Sequence, residues 1–310
     1  MSGEWIAVIA VLTFVISNVL FRRTEGEASP IFINFVRTLI GTITFFILAF
    51  SFNIFFQIFL LPLTLWIILC ISFIFGQVIG DTAYFQAQKD LGTTNALAIS
   101  MVFPVITFIL SILFLNDPFD MRVVISIVLV GVGIYIIGKS KDINKKNSVL
   151  QKDLDPNLRL KAVIFAIVAA FGWAIGLIII EFATNEINHI LLIEGLSSVL
   201  GNVIRFPFAL IILLSMVIRE KYKKKNPNNT KRSGKTWVIL IIGALIGTSF
   251  GAYMYTEAAR VAGATIMALI ASASPLFSLP LTYLINGERI TKFGFLGVFL
   301  TILGVIIILF

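Results

Sequence analysis

Ionisable groups are scarce inside the apolar stretches of this 310-residue chain, and the few present carry its chemistry. A charged group in a membrane span costs about 2.5–3.5 kcal/mol on insertion scales, so such groups usually face an interior cavity. Arg37 sits well inside one apolar stretch. Asn34, Arg37, Gly41 and Thr44 recur there at helical spacing, a polar stripe among Ile, Phe and Leu. A second stripe combines Glu194, Ser198, Gly201 and Arg205. Arg37 and Arg205 are expected to face one cavity. The guanidinium fork suits an anionic group on a solute, a carboxylate or a phosphate. Snorkelling of Arg37 to the membrane surface is the competing reading, and so is an ion pair of Arg205 with Glu194.

Gln77, Asp81, Tyr84 and Gln88 share one face of a third stretch. Asp81 could be a proton-coupling carboxylate, a counter-charge for Arg37, or an interfacial residue near a helix end. Trp173 lies between Gly172 and Gly176, which let neighbouring helices approach closely. It is expected in the cavity wall or facing lipid. Tyr84, Tyr253 and Tyr255 could line the cavity or anchor at the interface. Asn95, Ser100, Thr107, Ser272 and Ser274 are candidate lining residues, or glue between helices. Pro104 and Pro275 each remove a backbone donor and are expected to bend their helices, as hinges or as static curvature. The chain has one Cys and one His, so no intrachain disulfide and no His/Cys metal cluster can form. No Gly-x-x-x-x-Gly-Lys-Ser/Thr motif occurs, and no cofactor is expected.

These residues must be positioned by membrane helices. Apolar residues make up 58% of the chain and mean hydropathy is +1.01. Ordinary soluble domains hold roughly 45–50% apolar residues. The expected fold is all-α and integral to the membrane, with ten spans. They are Trp5–Phe21, Ile31–Phe50, Pro62–Tyr84, Thr93–Leu115, Met121–Gly138, Ala162–Ile180, Leu192–Ile218, Trp237–Tyr255, Ala264–Ile285 and Phe293–Phe310. Glu181 and Glu186 are then expected beyond the sixth span, in solvent. Asp117 and Glu288 fall at tight turns, where each would cap the next helix. The first span lacks a basic leader and a small-residue cleavage site, and reads as a retained helix.

The stretch Trp66–Ile137 recurs without a gap as Trp237–Ile308. Trp66 falls on Trp237, Gly76 on Gly247, Gly80 on Gly251, Tyr84 on Tyr255, Pro104 on Pro275 and Gly133 on Gly304. Asp81 falls on Ala252, so the repeat fails to match at a carboxylate. Of 24 lysines and arginines, all but Arg37, Arg122, Arg205 and Arg260 fall on one side of the expected topology. That side is expected in the cytoplasm and both termini outside. The net charge of +8 then belongs to loops beside the bilayer and is no nucleic-acid signature. Five spans per half is an odd number, so the halves would be inverted repeats. Residues 1–138 form the first, 139–160 a basic cytoplasmic linker, and 161–310 the second. Inverted repeats place a solute site between them and alternate access by rocking.

The matched landmarks resemble the drug/metabolite transporter superfamily, specifically its EamA-type permeases with two five-helix repeats. Ser272-Ala273-Ser274-Pro275, Gly287-Glu288-Arg289, Gly297 and Gly304 carry the resemblance in the second half. The first half departs from it at Asn116-Asp117-Pro118 and Ser126. The resemblance implies a cell-membrane exporter or exchanger of a metabolite, amino acid or drug-like solute, with a proton or counter-solute as a candidate coupling partner. A non-transporting scaffold is the alternative. A membrane-embedded enzyme stands below both, because one His and one Cys give it little to build with.

Overall fold

Without water to satisfy backbone N–H and C=O groups, a chain this apolar closes its hydrogen bonds within helices. The computed structural model describes residues 2–24, 26–91, 96, 99–145, 156–223, 232–274, 276–277, 281 and 292–309, and every regular element among them is helical. In chain order these are α1 Gly3–Arg22, α2 Pro30–Ser51, a short 3₁₀ turn Phe55–Leu60, α3 Leu63–Leu91, α4 Phe103–Phe114 and α5 Met121–Lys145. Then follow α6 Pro156–Leu191, α7 Ser197–Lys223, α8 Gly234–Ala262, α9 Ala264–Ser272 and α10 Lys292–Leu309. Among the described residues, six helices are long and apolar enough to cross a membrane: α1, α2, α3, α6, α7 and α8. Shorter apolar helices cover Phe103–Phe114, Met121–Ile136 and Phe295–Ile307. The expected fourth and ninth spans fall partly outside the described residues.

The helices pair across the two halves of the chain. α1 packs on α8 and α6 on α3; α2 packs on α7, α4 on α9 and α5 on α10. Exchanging the halves maps this set of pairs onto itself. Small residues make the crossings close. A Cβ on Gly172 of α6 would lie 2.5 Å from the Phe75 carbonyl oxygen of α3, and one on Gly176 2.9 Å from that of Ser72. On the other side, a Cβ on Gly247 of α8 would lie 2.3 Å from the Ser17 Cβ of α1. Many polar side chains turn inward, and many large apolar ones face outward. Asn34, Gln88, Thr107, Thr248 and Thr256 are fully buried, while Phe56, Leu63, Phe114 and Ile211 are exposed. That is the pattern of a surface solvated by lipid.

α3 and α8 share a feature that the 3.6-residue periodicity does not announce. Each contains a π-helical segment, Ile74–Asp81 in α3 and Leu245–Phe250 in α8. Both begin at the same position of the repeat. A second matched break lies at Met101–Val102 before α4 and at Ala273 after α9. Pro104 occupies the first turn of α4, where its missing N–H costs nothing. Pro275 lies outside the described residues.

Several boundaries differ from the sequence expectation. α6 runs to Leu191, so Glu181 and Glu186 lie within the helix and both are half-buried. The Glu181 carboxylate accepts the backbone N–H of Ala264 at the start of α9. The orphan donors of that helix end attract an acid from a neighbouring helix. α7 begins only at Ser197, after a loop with positive φ at Leu192 and Gly195, so Glu194 stands exposed in the loop and off the α7 stripe. At α5, Asp120 and not Asp117 meets the helix start, accepting the Arg122 N–H at 2.8 Å. Hydrogen bonds from the Arg122 side chain and backbone hold the Asp120 carboxyl below its usual range. Glu288 lies outside the described residues.

On the α1–α2 loop, Glu27 reaches the first turn of α8. It accepts from the Ser233 N–H at 2.8 Å and from Thr236 Oγ1 at 2.7 Å. The Ser233 backbone bond, with Thr236, keeps its carboxyl below the ordinary value of 4.5. Ser233 itself caps α8 by accepting the Thr236 N–H.

Candidate functional site

The π segment of α3 frees backbone groups from their regular partners and re-aims the side chains that follow. Asn34 of α2 bonds into this segment, donating from Nδ2 to the Gln77 carbonyl at 2.8 Å and to Thr82 Oγ1 at 2.9 Å. Gln77 answers with Nε2, which reaches Asn34 Oδ1 at 3.0 Å and Thr38 Oγ1 at 2.9 Å. This buried lattice fixes α3 against α2 and brings Asp81 level with Arg37.

Arg37 Nη1 lies 3.2 Å from Asp81 Oδ2, with both side chains less than 10% exposed. Arg37 Nε donates to Thr248 Oγ1 of α8 at 2.8 Å, and Phe21 and Phe85 flank the guanidinium. Trp173 Nε1 of α6 donates to Asp81 Oδ1 at 2.7 Å. Arg37 does not snorkel: its charge is matched in the interior by a carboxylate that has two partners of its own.

Arg205 is held differently. It is 3% exposed, and its Nε donates to Asn202 Oδ1 at 2.9 Å, one turn earlier on α7. Nη2 reaches Thr256 Oγ1 of α8 at 3.2 Å, and the Phe73 ring lies 4.8 Å from Cζ. No acid pairs with it among the described residues, and Glu194 is not its partner. Asn202 was not singled out in the sequence, although Asn202–Arg205 repeats the spacing of Asn34–Arg37.

A cavity of about 120 Å³ lies between the two halves. Arg37, Gln77, Asp81, Trp173, Arg205, Tyr255 and Ser274 line it, with Phe14, Phe73, Met101, Phe103 and Met267 supplying most of the wall. Glycines of both π segments, Gly76 and Gly247, also border it, as does Ala252. The structure thus brings together seven of the sequence candidates: Arg37, Gln77, Asp81, Trp173, Arg205, Tyr255 and Ser274.

The remaining candidates lie elsewhere. Asn34 stands behind the wall, in the lattice that positions Gln77. Tyr84 is 1% exposed and packs against Phe14, Phe85 and Trp173. The two matched tyrosines therefore do different things. Ser198 Oγ donates to Glu257 Oε2 at 2.7 Å, and Glu257 pairs with Arg260 at 2.5 Å, a buried cluster apart from the cavity lining. Tyr253 is half-buried near Gly195 and Glu194 is exposed; neither lines the cavity. Ser100 donates to the Ala166 carbonyl, and Thr107 and Ser272 bond back to their own helices. Asn95 lies outside the described residues. Among those residues, no group of three or more His, Cys, Asp or Glu could hold a metal ion.

Comparison with known proteins fits this arrangement. The chain is similar to an uncharacterized transporter of Archaeoglobus fulgidus, 23% identical over 309 residues, covering 97% of this chain and 95% of that one. A protein known from a crystal structure superposes on 98% of this chain and 95% of its own with a TM-score of 0.71 at 13% identity, a likeness of fold. The EamA-like transporter family matches residues 1–139 and again 160–310. The paired helices, the matched π segments and the cavity between the halves are thus the two repeats of one family folded together, and the chain belongs to the EamA-like transporter family.

Proposed function

We propose that this multi-pass membrane protein is a secondary transporter that moves a small metabolite, amino acid or drug-like solute by alternating access. Its ten spans form two inverted repeats of five, with the basic loops in the cytoplasm and both termini outside. The observation that carries this reading is the cavity itself. It lies between the repeats, it is walled by both, and the charged groups Arg37, Asp81 and Arg205 converge on it. Paired helices of opposite repeats can rock about such a site, exposing it first to one side and then to the other. The matched breaks at Val102 and Ala273 and the matched π segments supply bending points in symmetric positions. Asp81, tied to Arg37 and Trp173, is a candidate proton or counter-solute coupling group.

The test is counterflow in proteoliposomes loaded with a small-molecule cell extract, with exchanged solutes identified by mass spectrometry. The expected result is selective exchange by the wild type, lost in Arg205→Ala while the variant keeps its elution profile and melting temperature. No exchange above protein-free vesicles, from well-folded protein, would sink the reading.

A further inference from the structure

The two halves of the cavity differ in one charge. In the first repeat Arg37 of α2 is neutralised by Asp81 of α3. The repeat register places Ala252 of α8 where the first half has Asp81. Ala252 lines the same cavity as Arg205, the α7 counterpart of Arg37. Arg205 is 3% exposed, and its Nη1 has no hydrogen-bond partner among the described residues. The Asn202 amide that orients it also has a buried, unpartnered Nδ2. A buried guanidinium with one arm free is an unbalanced charge, and buried charges are stable when paired.

We propose that the solute is a monocarboxylate with a compact apolar body, and that its carboxylate stands at Ala252 as the counter-ion of Arg205. This deepens the transporter reading and rests on it. The chemistry is set by charge balance. Arg37 and Asp81 cancel, which leaves one positive charge for the solute to meet. One unmatched positive charge is balanced by a single carboxylate, whereas a phosphate dianion would leave a buried negative charge over. The body of the solute meets Phe73, Phe14, Phe103 and Met267. An apolar cavity of about 150 Å³ takes up a benzene ring, so the space here matches one ring or a short branched chain. Arg37 is a positioning residue in this scheme. It holds Asp81 through Nη1 and Thr248 through Nε, and its charge is already met by Asp81.

The experiment is a thermal shift of the purified full chain with benzoate, phenylacetate and 4-methylvalerate, each set against its neutral amide and its cationic amine analogue. The carboxylates are expected to raise the melting temperature, since a ligand of the folded state stabilises it by mass action. The amides and amines are expected to leave it unchanged. Ala252→Asp supplies the counter-ion from the protein and is expected to weaken carboxylate binding by about 30-fold or more. Ala252→Asn fills the same space without the charge and is expected to weaken it less. If Ala252→Asp fails to fold, Arg205→Gln replaces it, with the same loss expected.

Equal shifts from amides or amines would overturn the proposal. So would unchanged carboxylate binding in Ala252→Asp or Arg205→Gln, or no shift from any of the three acids at 10 mM. Counterflow separates this failure from that of the transporter reading. Exchange of neutral or cationic solutes that survives Ala252→Asp would keep the transporter and refute the carboxylate. Carboxylate binding without exchange would do the reverse.

Discussion

At the scale of single residues, one ion pair shows what apolar surroundings demand. Arg37 and Asp81 are each buried, and each is expensive alone. Removing one partner leaves an uncompensated charge, at a cost of about 3–5 kcal/mol. Asp81→Asn is the cleaner cut, because its Oδ1 can still accept from Trp173 and only the charge is lost. Arg37→Met and Asp81→Asn are each expected to lower stability by that order, and the double variant to recover most of the loss. Equilibrium unfolding in mixed micelles measures the cycle, and additive losses would mean the pair is not coupled. Arg37, Asp81 and Arg205 were legible in the sequence because a charge in an apolar stretch has few places to go. The pairing itself was legible only as one option of several, since it depends on how α2 and α3 rotate about their axes. Asn202 was hidden because a buried amide costs less than a charge and stands out less.

At the scale of elements, helix identity was legible and helix phase was not. Apolar runs of roughly 20 residues announce spans. Gly172 and Gly176 announced close approach, and the α3–α6 crossing realises it against Gly80 and Gly76, backbone against backbone. Nothing in the same residues announced the π segments. One widened turn shifts the phase of a helix without changing its composition, and a periodicity count averages over it. The expected ends of α6 and α7 failed for a related reason. Glu181 and Glu186 look like solvent residues until Ala264 offers Glu181 a backbone donor, and Glu194 fits a helical stripe until the Leu192 and Gly195 turns take it out of the helix. The α3–α6 crossing makes a direct prediction. Gly172→Val puts methyl groups against the Phe75 carbonyl, which cannot move aside as a side chain could. A loss of about 1–3 kcal/mol or more is expected from such overpacking. The same substitution at Gly131, with nothing near its Cβ position, is expected to change little. Melting curves in detergent compare the two, and equal stability would remove the close crossing from the account.

At the scale of the whole molecule, the duplication visible in the sequence has become an interleaved structure. The sequence suggests two five-helix units joined by a basic linker, but the helices pair between the units: α1 with α8, α6 with α3, α2 with α7, α4 with α9, and α5 with α10. Linear order could not reveal this, because a repeat shows what matches and not what touches. The cavity depends on it. Arg37 reaches Thr248 and Asp81 reaches Trp173, each across the two halves. It follows that neither half can complete the site or bury its own polar faces alone. Residues 1–145 expressed without the rest are expected to yield no folded monomer, and residues 156–310 likewise. Co-expression of the two pieces is expected to restore a one-to-one complex, since the connection between them is only a tether and closing a loop costs little. Size-exclusion chromatography of the pieces, alone and together, reads the outcome. A well-behaved, cooperatively melting monomer of either half would show that the cross-half pairs are not what holds the fold. A co-expressed complex that binds solute as the intact chain does would place the transport unit in the pairing and not in the linker.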